Sequence, residues 1–150
     1  MIEFKASVYY HLNVLQDEKI GQLQASLSSL YDDLASASKS SSGDKHETGR
    51  AMIQLEQEQL GKQLNEALLQ KNHLNQLDIS HSRDYVSNGS LIESDDNWYF
   101  ICSVPAKIKI DNFTVYSISL NSPLGQLLSG KKQGESIHFN SKKISLKNIY

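Results

Sequence analysis

The first half of the chain carries one hydrophobic rhythm and the second half another. Ile20, Leu23, Leu27, Leu30, Leu34 and Ala37 recur at alternating steps of three and four residues. Ile53, Leu60, Leu64, Ala67 and Leu74 keep the same spacing, with one polar gap at Glu56/Gln57. That rhythm is the seam of a paired helix, because three- and four-residue steps keep one face toward a partner. Between the two seams lies Ser36-Ala37-Ser38-Lys39-Ser40-Ser41-Ser42-Gly43. Serine hydroxyls compete for backbone hydrogen bonds and glycine readily supplies a positive φ, so the stretch predicts a turn. The pattern predicts an antiparallel helical hairpin. Its first helix begins near His11 or Leu12, and its second runs from about Asp44 to about Leu77. Helices of this length reach roughly 40 Å at about 1.5 Å per residue.

The rhythm changes across Leu77-Asp78-Ile79-Ser80-His81-Ser82. Beyond this polar linker come short runs with strand chemistry. They are Leu91-Ile92, Trp98 to Val104, Ile108 to Ile110, Phe113 to Ile118, Ser136 to Phe139 and Lys143 to Leu146. Asn88-Gly89, Asp95-Asp96-Asn97 and Asp111-Asn112 mark turns between them. Pro123 to Leu128 predicts one short helix, with proline near its start and Gly130 closing it. The expected fold class is α+β: a two-helix coiled-coil hairpin over 1–78, and an antiparallel sheet lobe with one short helix over 83–150.

Composition narrows the function classes. The 150 residues carry a formal net charge of −2, which argues against a broad electrostatic grip on nucleic acid. Residues 1–78 hold 7 basic and 11 acidic side chains, and residues 79–150 hold 8 and 6. An acidic arm joined to a mildly basic lobe suits a protein partner of mixed potential. Cys102 is the single cysteine, so no internal disulfide forms and a reducing compartment is expected. No apolar run approaches the ~18 residues that span a bilayer, and the start lacks a signal-peptide pattern. A soluble, cytoplasmic protein without a membrane partner is the expectation.

Candidate chemistry concentrates at the turn. Asp44 and Glu47 stand three residues apart at the tip over 43–48. They fit a capping box, in which Asp accepts from the amide three residues on and Glu reaches back. They also read as an acidic pair held out on a long arm, a device for delivering charge to something else. His11, His46, His73, His81 and His138 have no zinc spacing. Cys102, inside a strand pattern, reads as a core residue rather than a nucleophile. Trp98, Tyr99, Phe100, Phe113 and Tyr116 read more simply as packing than as an isomerase-like pocket. No glycine-rich phosphate loop is present.

Two separated motifs resemble one family, the bacterial Gre-type transcript-cleavage factors that bind RNA polymerase. Gly43-Asp44-Lys45-His46-Glu47-Thr48 is similar to the family's tip signature, Gly-Asp-Leu-Ser-Glu-Asn. Ile118-Ser119-Leu120-Asn121-Ser122-Pro123-Leu124, with Leu128 to Glu135, is similar to its C-terminal stretch, where Ser-Pro opens a short helix ending in Gly-Lys. Val86 and Gly89-Ser90 match the start of that lobe's first strand. The likeness runs through nearly the whole chain in order and spacing.

The resemblance implies an FKBP-like C-terminal lobe docked on the rim of the polymerase secondary channel, with the hairpin threading the channel. By matching position, Asp44 and Glu47 would help hold a catalytic Mg²⁺ shared with the polymerase. Asn121, Ser122 and Pro123 would make the docking contact. The chain would then be a monomeric accessory factor, not itself an enzyme, with no cofactor of its own and no sequence-specific nucleic acid binding. Lys45, His46 and Thr48 replace the family's Leu, Ser and Asn, and a cation beside the carboxylates opposes Mg²⁺ by like-charge repulsion. Two modes therefore stay open, stimulation of RNA cleavage and occupation of the channel without cleavage. From another class, a dimeric coiled-coil interaction protein would leave an apolar stripe bare along the hairpin.

Overall fold

A computed structural model describes the backbone over residues 1–39 and 43–150, and the side chains over 1–39 and 47–150. Two long helices, α1 (Ile2–Ser38) and α2 (Gly43–Asn75), precede seven short strands and one short helix. The strands are β1 (Leu91–Glu93), β2 (Trp98–Ile101), β3 (Ala106–Ile110), β4 (Phe113–Ile118), β5 (Ser136–Phe139), β6 (Lys142–Ser145) and β7 (Asn148–Ile149). Between β4 and β5 lies α3 (Pro123–Leu128). The fold class is α+β, as the two hydrophobic rhythms predict.

The chain forms two compact units, and their limits do not follow the 1–78 and 83–150 division. One unit is Gln16–Leu69, and the other joins Met1–Leu15 to Gln70–Tyr150. In the first, Ile20, Leu23 and Ala67 are buried, and Leu60 and Leu64 pack against them. Low-numbered positions of α1 meet high-numbered positions of α2, so the helices run antiparallel. Gln16 Nε2 fixes the register by donating to the Ala67 carbonyl at 2.7 Å. Leu27, Leu30, Leu34 and Ile53 are half-buried, so the seam closes within the chain. The exposed apolar residues of this unit are Tyr31, Met52, Leu55, Leu68 and Leu69; Met52 and Leu55 stand three apart, and polar Gln59 and Lys62 end that run. Polar Gln57 sits at the predicted gap, and its Nε2 is buried with no hydrogen-bond partner.

In the second unit a five-stranded sheet has the order β3-β4-β2-β1-β7, with β5 and β6 forming a separate ladder. The expected antiparallel sheet is in fact mixed. β2 and β4 run parallel, pairing Trp98 with Val115 through Ile101 with Ile118. The reason is the placement of β3. It forms a hairpin with β4 through the Asp111-Asn112 turn, where Asp111 takes φ 52, and it occupies the outer side of β4. The inner side of β4 is thereby left to β2.

The central strand β2 is buried on both faces, which explains why Trp98-Tyr99-Phe100-Ile101 is apolar without alternation. Trp98 and Phe100 join one cluster with Val8, Leu12, Leu74, Leu91, Ile108, Ile110 and Val115. Tyr99 and Ile101 join the other with Val86, Ile92, Leu128, Ile137, Leu146 and Ile149.

The first turns of α1 belong to the first cluster, so α1 begins at Ile2 rather than near His11. Val8 and Leu12 are fully buried, and Phe4 packs edge-on to Trp98 with ring centroids 5.0 Å apart. The β-branched and aromatic run Val8-Tyr9-Tyr10 has weak helix propensity, and burial overrides it. Lys5 is buried with them and donates to the His81 carbonyl at 3.3 Å. Burial lowers its pKa, with Asp78 acting in the opposite sense.

The predicted linker is a tied turn. Asp78 accepts from the Ser80 hydroxyl at 2.6 Å, the Ser80 amide at 3.0 Å and the His81 ring at 2.7 Å. The Ser80 hydroxyl bond, followed by the bond to His81, holds the Asp78 carboxyl well below the usual carboxylate range.

Candidate functional site

The segment Ser119 to Gly130 is built as a capped projection anchored on the sheet. Ser122 is the N-cap of α3, in an extended conformation with φ −73 and ψ 158. Its hydroxyl accepts from the Gly125 amide at 3.1 Å and donates to the Ser119 carbonyl at 2.7 Å. Pro123 follows at the first helical position, where its missing N–H costs nothing and its fixed φ suits the helix. Leu128 is buried in the sheet cluster and Leu124 packs beside it, which anchors the helix from below. Asn121, Pro123, Gln126 and Leu127 remain exposed. Thus the three residues singled out for partner binding form one continuous, partly exposed segment: Asn121 and Pro123 face solvent, and Ser122 holds the turn.

Two contributors were not singled out in the sequence. Leu127 lies one helical turn beyond Pro123 and is 43% exposed, so the two place apolar surface on neighbouring positions of one helix face. Four-residue spacing of apolar residues was the available signal. Gly125 is the other. A Cβ there would lie 2.0 Å from the Ser119 carbonyl oxygen and 2.8 Å from the Leu120 Cα. The turn over 119–122 thus closes directly onto this residue.

The motif downstream is also structural. Glu135 accepts from the Lys132 amide at 2.6 Å and from Lys131 Nζ at 3.2 Å, and Gly134 takes φ 86. The Lys132 amide, then Lys131, lowers the Glu135 pKa.

A cavity of about 990 Å³ borders the segment at Ser119, Leu120 and Asn121 and extends to Asp78, His81 and Arg83. Cys102 lines it but is only 1% exposed, with its sulfur 2.9 Å from the Ser117 hydroxyl. Burial pushes the thiol pKa up, which makes this a packing cysteine rather than a nucleophile.

At the other end of the chain's functional motifs, α2 starts at Gly43. Asp44 therefore lies inside the first turn rather than at the N-cap that a capping box with Glu47 requires. Glu47 is exposed. The side chains of Asp44, Lys45 and His46 lie outside the described residues, as does Ser42. Among the described residues no three His, Cys, Asp or Glu side chains come together as a metal site. Mg²⁺ takes near-octahedral oxygen coordination, and two carboxylates supply only part of it.

Removal of the Ser122 hydroxyl tests how the projection is held. Ser122→Ala is expected to cost about 1 kcal/mol, the usual worth of an N-cap, read as a lower urea midpoint at unchanged m-value.

No family model and no curated protein matches the sequence. Among solved structures the chain is similar to one described as the structure of the transcription factor Gfh1. The two share 15% identity over 92% of each chain, with a TM-score of 0.36.

Proposed function

We propose that this chain is a Gre-like regulator of bacterial RNA polymerase that acts through the secondary channel. The observation that carries the reading is the α3 projection. The Ser-Pro motif, similar to the family's docking stretch, stands at the surface with Asn121 and Pro123 exposed and its backbone fixed by the Ser122 cap. A preorganised segment loses little freedom on binding, which favours affinity. The paired helices, with Asp44 and Glu47 in the opening residues of α2, support an arm that carries carboxylates to the polymerase's own centre. In this role the chain is an accessory factor. Asp44 and Glu47 would share the polymerase-bound Mg²⁺, whose contribution is to neutralise phosphate charge and activate water.

Lys45 and His46 favour a second mode at the same place, in which the factor docks and occupies the channel without stimulating cleavage. The coiled-coil dimer is disfavoured, because the seam residues Ile20, Leu23, Leu60, Leu64 and Ala67 are used within one chain.

Co-purification with bacterial RNA polymerase, followed by a cleavage assay on backtracked complexes, tests the reading and separates the two modes. Pro123→Arg is expected to weaken polymerase binding about tenfold or more while leaving the unfolding midpoint within about 0.5 kcal/mol, as an exposed substitution should. Unchanged binding would remove the Ser-Pro segment from the interface. Failure of the unmodified chain to bind polymerase would remove the reading itself.

A further inference from the structure

The helix pair is not packed evenly along its length. Ile20, Leu23 and Ala67 are buried, with Leu60 and Leu64 against them, and that cluster stops at the level of Leu23 and Leu60. Further out, the seam positions Leu27, Leu30, Leu34 and Ile53 are only half-buried. Gln57 stands at the boundary. Carried outward along both helices, the register of Gln16 and Ala67 sets it at the level of Ser26 and Leu27. Seam spacing there calls for an apolar side chain, yet the Gln57 Nε2 is buried with no hydrogen-bond partner. A buried amide in that state has lost its water and gained no bond, so pairing is penalised at this layer.

Two further features separate the inner layers from the outer ones. The inner seam also holds a glutamine, but Gln16 Nε2 is satisfied by the Ala67 carbonyl at 2.7 Å. The same side chain therefore pins one end of the seam and loosens the other. Gly49 and Gly61 lie on either side of Gln57 within α2, and a Cβ at either meets nothing within 4 Å. Neither glycine is required by a close approach, and each weakens the helix relative to alanine.

We infer that the helix pair is divided at Gln57 into a fixed stem and an outer part that opens by itself. The stem is 16–23 with 60–69, and the outer part is 24–38 with 47–58. Opening of the outer part returns the Gln57 amide to water and uncovers only half-buried side chains. Opening of the stem breaks the Gln16 bond and uncovers a buried cluster. A short helix freed from its partner is marginal in water, so separation of the outer part shows as amide exchange. Elements that move in binding are drawn from such stretches of low local stability. The inference concerns the helix pair alone and does not depend on the polymerase reading.

The test is native-state hydrogen exchange of the ¹⁵N-labelled full chain, under conditions where exchange reports the opening equilibrium. After correction for intrinsic rates, amides over 27–38 and 51–58 should exchange about tenfold or more faster than those over 20–23 and 64–69. Gln57→Leu removes the orphaned amide at nearly unchanged helix propensity. It should slow the outer amides about tenfold, the scale of one unsatisfied buried group, and leave the stem amides within about twofold. Gln59→Leu makes the same exchange of side chains at an exposed position and should move neither group by more than about twofold. Equal protection of stem and outer part would overturn the proposal, because the pair would then open as one. So would a Gln57→Leu protein whose stem and outer amides slow together. Unchanged outer amides in that variant would also overturn it, because the buried amide would then not be what loosens the layer.

Discussion

Replacing Gly125 by alanine is expected to destabilise the sheet-bearing unit by about 3 kcal/mol, the upper end of overpacking costs. The new methyl would stand 2.0 Å from the Ser119 carbonyl oxygen and 2.8 Å from the Leu120 Cα. Neither neighbour is the flexible end of a side chain, so backbone must move. The backbone concerned is the turn that the Ser122 hydroxyl ties to Ser119 and to Gly125 itself. Relief of the clash therefore breaks the cap and lifts Leu124 and Leu128 from the cluster below. Gly61→Ala is the matched control. A Cβ at Gly61 meets nothing within 4 Å, and the residue is inside α2. That change should stabilise by about 0.5–1 kcal/mol through helix propensity. Urea unfolding of the two variants measures the contrast. A Gly125→Ala protein as stable as the unmodified chain would mean the 119–122 turn is loosely held.

Neutralising the acidic pair is expected to give the largest functional effect. Asp44→Asn and Glu47→Gln preserve size but remove the charge that Mg²⁺ requires. Loss of an acidic charge from the first helical turn costs about 0.3–1 kcal/mol of stability, whereas a lost ligand in a metal-assisted hydrolysis can abolish the reaction. If the factor stimulates cleavage, each neutral variant should erase that stimulation without loss of polymerase binding. Full stimulation by the neutral variants would rule out the metal role. If the unmodified chain binds and does not cleave, Lys45→Leu with His46→Ser tests the cause by removing charge beside the carboxylates. Cleavage gained by that pair would assign the silence to Lys45 and His46. Continued silence would leave channel occupation as the function.

The sites differed in how far they could be read from residues alone. Ser122 and Pro123 were legible because N-cap and first-turn preferences are local: each rests on one hydroxyl and one fixed φ. Gly125 carried no such mark. Its requirement comes from a carbonyl six residues away, brought over it by the turn.

Taken alone, the sequence determined whatever depends on short-range periodicity and local backbone preference. The paired seams, the α3 boundaries, the hairpin turn at Asp111-Asn112 and six of the seven strands follow from spacings of three, four or two residues. Tertiary structure decided the rest. Alternation shows that a segment is a strand but not which strand it meets, so the parallel pairing of β2 with β4 came from the placement of β3. The two-residue β7 is too short to carry a pattern and exists through its pairing with β1. The first turns of α1 were assigned by burial, because Val8 and Leu12 gain more from the sheet cluster than their neighbours lose in helix propensity. That burial joins the chain's first fifteen residues to its last eighty-one in one unit, a long-range choice that no local pattern encodes.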